Sequence, residues 1–245
     1  LATHSEGFAA MVLAAGRGER LRPLTDTCPK PLVEVGGKAL IDHWLERLAE
    51  AGCSRAVVNP CWLGERIVAH LGQRQRSTME LLFSPEPAPG LETAGGVRQA
   101  LPLLDAESFL VVNADVYCPL DVAAFVRRAR QRLESGFLAH LLLVPNPAHR
   151  PQGDFALGED AMVYPDAQEA RGTALTFAGI GFYRAELFRP LPAGVRTPMA
   201  PLLRAAMRAG KVSGERHDGP WVDVGTPERL EALRRQLSAA NEEKA

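Results

Sequence analysis

The sequence predicts an α/β protein: a doubly wound, mostly parallel sheet with a smaller strand-rich lobe placed late in the chain. Three observations carry this. Short apolar runs alternate with helically spaced apolar residues as far as residue 145, the rhythm of strand–helix–strand units. The run Phe137–Val144 is apolar but for His140, as in a central strand covered on both faces. Beyond residue 150 the rhythm changes: Gly153–Leu157, Ala161–Tyr164 and Thr173–Tyr183 are strand-like, with no long helix between them.

Taken in order, Phe8–Ala15 reads as the first buried strand. It breaks at Gly16-Arg17-Gly18, where two glycines allow backbone angles and close approaches that side chains forbid. After a proline-punctuated loop, Leu32–Val35 leads to a Gly36-Gly37 turn, and Ile41, Leu45 and Leu48 recur at helical spacing up to Gly52, a helix-ending glycine. Ser54–Asn59 is the second strand, Leu63–Leu71 a short helix and Met79–Phe83 the third strand. Leu91-Glu92-Thr93 opens a helix that runs to Leu104. Ser108–Val112, the fourth strand, ends in Asn113-Ala114-Asp115, and Asp121 is placed to cap a helix to Leu133. Pro198–Ala209 is a helix, and Val212–Glu215 and Trp221–Val224 are short strands. Thr226 is placed to cap a last amphipathic helix with Leu230, Leu233 and Leu237 inward, and Asn241–Ala245 reads as a frayed tail.

A chain of 245 residues can bury a full core as one large domain or as one domain with a small lobe. A formal net charge of -1 gives no footing to nucleic-acid binding, and no apolar run reaches the roughly 20 residues of a membrane span. The opening LATHSEG shows no signal-peptide pattern, and Cys28, Cys53, Cys61 and Cys118 have no CxxC spacing, so reduced thiols and a cytoplasmic location are expected. The positive charge is local. From Gly16 to Pro31 four cations (Arg17, Arg20, Arg22, Lys30) face two anions (Glu19, Asp26). Glycine amides at a strand end followed by cations suit a phosphate chain. Neither a GxxxxGK[ST] loop nor the third glycine of a dinucleotide fingerprint is present. In a chain with 24 Arg and four Lys, a lysine enclosed by Pro29 and Pro31 points to a compact point charge on phosphate.

The full string LAAGRGERLRPLTDTCPKPL resembles the opening signature of the sugar-phosphate nucleotidyltransferases, and the resemblance extends over essentially the whole chain. It implies a Rossmann-like, GT-A-like nucleotide-diphospho-sugar transferase architecture in one domain, residues 8–240. The nucleotide part would be about 8–145 and 210–240, and the acceptor lobe about 146–209. VVNAD resembles the family's N-G-D metal motif, with Ala114 in place of glycine, a change expected to tighten the approach of nucleotide to backbone; WVDVGT resembles its late metal motif. The resemblance thus implies Mg²⁺ on Asp115 and Asp223. It implies triphosphate binding by Ala15, Gly16, Gly18, Glu19 and Arg20, charge neutralisation by Lys30, and uracil recognition by Glu92 and Thr93. Read by themselves, Asp115 and Asp223 also fit turn or cap formers, and Thr93 a helix N-cap.

SPEPAPGLETAGG, GDF, LTFAGIG and WVDVGT bring the likeness nearest to the short N-acetylmuramate-1-phosphate uridylyltransferases of peptidoglycan recycling. The implied substrates are UTP and a sugar 1-phosphate, with Asn113, Asp154 and Gly179 on the acceptor, and a monomer or small homo-oligomer is expected. The alternatives are a mannose-1-phosphate guanylyltransferase, a glucose-1-phosphate uridylyl- or thymidylyltransferase, or a non-catalytic nucleotide-sugar regulator. No room is left for the β-helix of bifunctional relatives, so no acetyltransferase activity is expected. Arg150, the cation next in sequence to Gly153-Asp154, is expected either to meet the acceptor's lactyl carboxylate or to be a solvated loop charge.

Overall fold

A computed structural model describes residues 7–73, 78–166 and 172–242. In chain order the first part is β1 (Phe8–Leu13), α1 (Leu24–Thr27), the hairpin β2 (Glu34–Val35) and β3 (Lys38–Ala39), α2 (Leu40–Glu50), β4 (Cys53–Val58), α3 (Gly64–Gly72), β5 (Glu80–Phe83), α4 (Glu92–Leu104), β6 (Ser108–Asn113), β7 (Val116–Tyr117), α5 (Val122–Glu134) and β8 (Ala139–Val144). Then come β9 (Phe155–Gly158), β10 (Val163–Tyr164), β11 (Gly172–Arg184), α6 (Met199–Arg208), β12 (Val212–Arg216), β13 (Val222–Asp223) and α7 (Pro227–Glu242).

The strand order β10-β9-β11-β6-β1-β4-β5, with β8 beside β11 and β12 beyond it, makes one mixed sheet. Its parallel part is β6-β1-β4-β5, and β12 also runs parallel to β8. β11 runs against its neighbours. Residues 172–175 of β11 pair with β9 in the lobe, and Ile180–Arg184 pair with β6. The strand-rich segment is therefore sewn into the main sheet by a shared strand. The register of β11 against β8 breaks between Phe177 and Gly181, and Gly179 sits in that break at φ +74°.

The two faces explain the apolar first strand. Ala10, Val12 and Ala14 join one core with Trp44, Leu45 and Leu48 of α2, Ile67 of α3 and Phe125 of α5. Ala9 and Met11 join the other, with Val97 and Ala100 of α4 and Leu203 and Met207 of α6. A strand that feeds both faces has no place for the polar alternation of a half-exposed strand. A third cluster packs Leu230 and Leu233 of α7, with Leu237 against it, on Leu21, Val33 and Val35, so the last helix straps down the signature loop.

Helix ends follow local chemistry. Asp121 accepts the Ala124 N–H at 2.9 Å, Gly52 takes φ +82° just past α2, and Thr226 Oγ1 accepts the Arg229 N–H at 3.4 Å. Thr93 is not a cap. α4 starts at Glu92, with Leu91 before it, and the Thr197 carbonyl takes the Ala94 and Gly95 N–H groups at 3.0 and 3.1 Å. No helix among the described residues is long and apolar enough to cross a membrane.

Candidate active site

The carboxyl ends of β1, β4 and β6 open onto a cleft of about 310 Å³. Ala15 and Gly16 come off β1, Asn113 ends β6 with Asp115 just beyond, and Glu92 and Thr93 form the first turn of α4. All line this cleft together with Lys30. Ligand sites in open α/β sheets lie in this position. Leu13 pairs with Asn113 across the sheet, and the Ala114 N–H donates to the Leu13 carbonyl at 3.0 Å. Ala114 is fully buried in the core, so its methyl lies away from the cleft and does not tighten it.

The signature loop is built around Lys30. Gly18 has φ +70°, and a Cβ there would stand 3.1 Å from Thr25 Cγ2 and 3.2 Å from Lys30 Cβ and Cδ. Only glycine lets the loop close this tightly over the lysine stem. The Thr25 hydroxyl donates to the Gly18 carbonyl at 2.8 Å, and the Trp62 indole N–H donates to the Thr25 carbonyl at 2.9 Å. The same indole carries the Arg17 guanidinium 4.2 Å from its ring centroid. Gly16 differs from Gly18: nothing lies within 4 Å of a Cβ there, and it faces open cleft. Glu19 and Arg20 lie in a short turn, Glu19–Leu21, anchored by buried Leu21. Arg20 Nη2 lies 3.0 Å from where a Cβ on Gly225 would sit, and Gly18, Glu19, Arg20 and Asp223 are not among the residues that line the cleft.

The two carboxylates are joined by a ribbon. β13 pairs antiparallel with β7, setting Asp223 opposite Val116, and the Val224 N–H donates to the Asp115 carbonyl at 3.0 Å. Trp44 pins the ribbon from the core by donating its indole N–H to the Val116 carbonyl at 2.7 Å. Asp115 takes the ammonium of Lys30, a lysine only 8% exposed. Asp223 takes Arg229 Nη1 at 3.1 Å, with His149 Nε2 at 3.9 Å. Burial, followed by the charge of Arg229, holds His149 below its ordinary pKa. Nε and Nη2 of Arg229 are buried without a hydrogen-bond partner. No group of three or more His, Cys, Asp or Glu suited to a metal exists among the described residues. Two hard oxygen donors, each now facing a cation, fit an ion that completes its shell with water and phosphate oxygens.

The lobe residues stand apart from the cleft lining. Asp154 Oδ2 accepts the Phe177 N–H at 3.0 Å, and Arg150 Nη1 lies 2.8 and 2.9 Å from the two Asp154 oxygens. Arg150 thus pairs within its own loop through Nη1 and is not among the residues that line the cleft. A Cβ on Gly179 would stand 2.6 Å from Asn113 Nδ2, so Gly179 makes room for the Asn113 amide and does not itself line the cleft.

The family model for nucleotidyl transferases matches residues 9–239. The chain belongs to the nucleotidyl transferase family. It is 51% identical over 221 residues to an N-acetylmuramate alpha-1-phosphate uridylyltransferase of Neisseria meningitidis, covering 90% of this chain and 94% of that one. A protein of the same description from Caulobacter vibrioides is 34% identical over 238 residues, 94% of this chain and 97% of its own. Among solved structures, a putative glucose-1-phosphate thymidylyltransferase from Bacillus anthracis superposes with a TM-score of 0.79 at 18% identity, covering 94% and 95% of the two chains; it shows the shared fold.

In this nucleotidyl transferase, sequence reasoning passed over Asn59 and Arg196, which line the cleft, and Glu86, which is bonded to Asn59. Asn59 Oδ1 accepts the Ala14 N–H at 2.7 Å, and its amide donates to Glu86 at 2.6 Å. Glu86, 8% exposed, also accepts the Leu91 N–H at 2.6 Å, which ties the end of β1 to the start of α4. Asn59 carried the same signal as Asn113, a polar residue ending an apolar strand; Glu86 and Arg196, which lines the cleft from the far side, carried none.

Proposed function

We propose that the protein transfers the uridylyl group of UTP to N-acetylmuramate 1-phosphate, giving UDP-N-acetylmuramate and pyrophosphate. The observation that carries the reaction class is the Lys30–Asp115 pair in the strand-end cleft, beside the open backbone at Gly16. The uridylyl group and the acceptor rest on likeness along the whole chain to the two relatives described above.

An acceptor phosphate oxygen attacks the α-phosphorus of UTP, and the bond from that phosphorus to the bridging oxygen breaks, releasing pyrophosphate. A phosphomonoester carries about -1.5 to -2 charge at neutral pH, so no general base is needed. The obstacle is repulsion between anions, which positioning and fixed positive charge overcome. Ala15, Gly16, Gly18, Glu19 and Arg20 hold the β- and γ-phosphates, and Lys30 neutralises charge that builds at the α-phosphate. Asp115 and Asp223 would hold Mg²⁺, whose charge, when bound, supplies further neutralisation at the phosphates. Glu92 and Thr93 take the base. Asn113, seated on Gly179, takes the acceptor; Asp154 shapes the lobe loop through its bonds to Arg150 and Phe177. The nucleotide part is assigned to about 8–145 and 210–240, the acceptor part to about 146–209, and the reaction to the cytoplasm.

The test is a pyrophosphate-release screen crossing four nucleoside triphosphates with several sugar 1-phosphates. UTP with N-acetylmuramate 1-phosphate is expected to be the fastest pair. A faster pair overturns the substrate assignment, and no release with any pair overturns catalysis in favour of a nucleotide-sugar regulator.

A further inference from the structure

We infer that Arg196 selects the acceptor by pairing with its lactyl carboxylate, an inference that rests on the acceptor proposed above. N-acetylmuramate 1-phosphate carries a carboxylate beyond its phosphate, ionised at neutral pH, and a site that prefers it over uncharged-ring analogues needs a cation within reach of the sugar. Among the described residues the cleft is lined by two cations, Lys30 and Arg196. The Lys30 ammonium is committed to Asp115. Among the described residues the Arg196 guanidinium makes one hydrogen bond, Nη2 to Glu92 Oε1 at 2.9 Å, which leaves Nε and Nη1 without a hydrogen-bond partner there.

The backbone around Arg196 is fixed, although its side chain is 56% exposed. The Thr197 carbonyl accepts the Ala94 and Gly95 N–H groups at 3.0 and 3.1 Å, and the Thr197 N–H donates to the Leu91 carbonyl at 3.0 Å. Gly95 has to be glycine here, because a Cβ would stand 2.5 Å from the Val195 carbonyl oxygen. The segment thus supplies the missing acceptors at the start of α4 and, in the same act, hangs Arg196 over Glu92 and Thr93. Glu92 itself is held at φ +61°, a conformation that L residues adopt at a cost and that clusters at ligand sites. An exposed Arg–Glu pair adds little to stability, so stability does not account for a strained glutamate under the guanidinium. A guanidinium that keeps one edge on Glu92 and offers the other to an incoming carboxylate does.

The experiment compares wild type with Arg196→Ala, Arg196→Gln and Arg196→Lys at saturating UTP. Three acceptors are used: N-acetylmuramate 1-phosphate, its lactyl amide, and N-acetylglucosamine 1-phosphate. The amide keeps the bulk and removes the charge. In Arg196→Ala the ratio of kcat/KM for the acid to that for N-acetylglucosamine 1-phosphate should fall about tenfold, mostly through acceptor KM, as for a half-exposed charge-assisted pair. Wild type should prefer acid to amide by a similar factor, the Ala and Gln variants should lose that preference, and Lys should restore part of it. An unchanged ratio with acid–amide discrimination intact overturns the assignment, as does an equal rise in the KM for UTP, which would make Arg196 a nucleotide contact. If wild type releases pyrophosphate only with other acceptors, the acceptor reading fails and takes this inference with it.

Discussion

Gly16 and Gly18 lie two residues apart and should fail in opposite ways. Gly18→Ala forces an L residue to φ +70°, which costs about 1–2 kcal/mol. The new Cβ would also press on Thr25 Cγ2 at 3.1 Å and on the Lys30 stem at 3.2 Å, so a few tenths of an ångström must be found in the loop or in the lysine. For a chain of this size about 1.5 kcal/mol lowers the melting temperature by about 3–6 °C. Moving the ammonium should lower kcat as well, because small misplacements of a charge acting on the reaction are costly. Gly16→Ala meets nothing within 4 Å and has no left-handed backbone, yet its Cβ stands where the cleft is open. It should leave the melting temperature within about 1 °C and raise the KM for UTP about tenfold or more, since one steric contact against phosphate forfeits a charge-assisted hydrogen bond to backbone. Thermal melts and initial-rate kinetics on both variants decide the matter. If Gly16→Ala binds UTP as wild type does, the phosphates do not lie against this strand end. If Gly18→Ala melts with wild type, the loop is not held by its left-handed glycine.

Asp115→Ala and Asp223→Ala should each lower turnover by orders of magnitude and keep the fold; a folded variant with near-normal Mg²⁺-dependent turnover would remove that residue from the metal pair. Lys30→Ala should cost about 10²–10³ in kcat with a smaller effect on UTP affinity, and Lys30→Arg should rescue poorly, because a planar fork is not a point charge; full activity in the Arg variant would show that any cation serves. Burial alone would raise the pKa of Glu215, but Arg128, bonded at 2.8 and 2.6 Å, and His140 at 3.3 Å bring it to about 2 from an ordinary 4.5. A carboxyl depressed in the folded state stabilises above its unfolded pKa and loses that contribution as pH falls through the window from 4.5 to about 2. Glu215→Gln should therefore cost about 1–2 kcal/mol at pH 7 after allowance for solvent screening, and urea titrations from pH 7 to 3 should show the gap closing below pH 4.5; a constant gap would assign the cost to packing.

The central sheet was legible because β1, β6 and β8 are buried along most of their length and write that fact as apolar runs. The helices α2 and α5 were legible through their spacing and their end residues, Gly52 and Asp121. The cleft was legible where the chain itself places its residues at strand ends and in the signature loop, at Ala15, Gly16 and Lys30 and at Asn113 and Asp115. What escaped was set by distant partners. Thr93 reads as a cap until the Thr197 carbonyl is seen taking the helix's first N–H groups. Glu86 sits in a loop of prolines and looks solvated, yet Asn59 and the Leu91 N–H bury it. Arg150 was singled out for its nearness in sequence to Asp154, and that same nearness lets the two pair with each other. Arg196 reaches the cleft across more than a hundred residues from Glu92, a distance over which no local pattern is written.

The ribbon of β7 and β13, two residues on each side, has a consequence for the order in which this protein can be made. Lys30 and Asp115 are encoded before residue 120, whereas Asp223 lies among the last two dozen residues of the chain. The second carboxylate is a contact of very large sequence separation, the kind whose closure entropy must be met before it gives anything back. A chain that has not yet emerged as far as α7 also lacks Leu230 and Leu233, which pack on Leu21, Val33 and Val35. The loop that carries Lys30 therefore gains its strap only when the last helix arrives, and the cleft is finished by the end of the chain, not by its beginning.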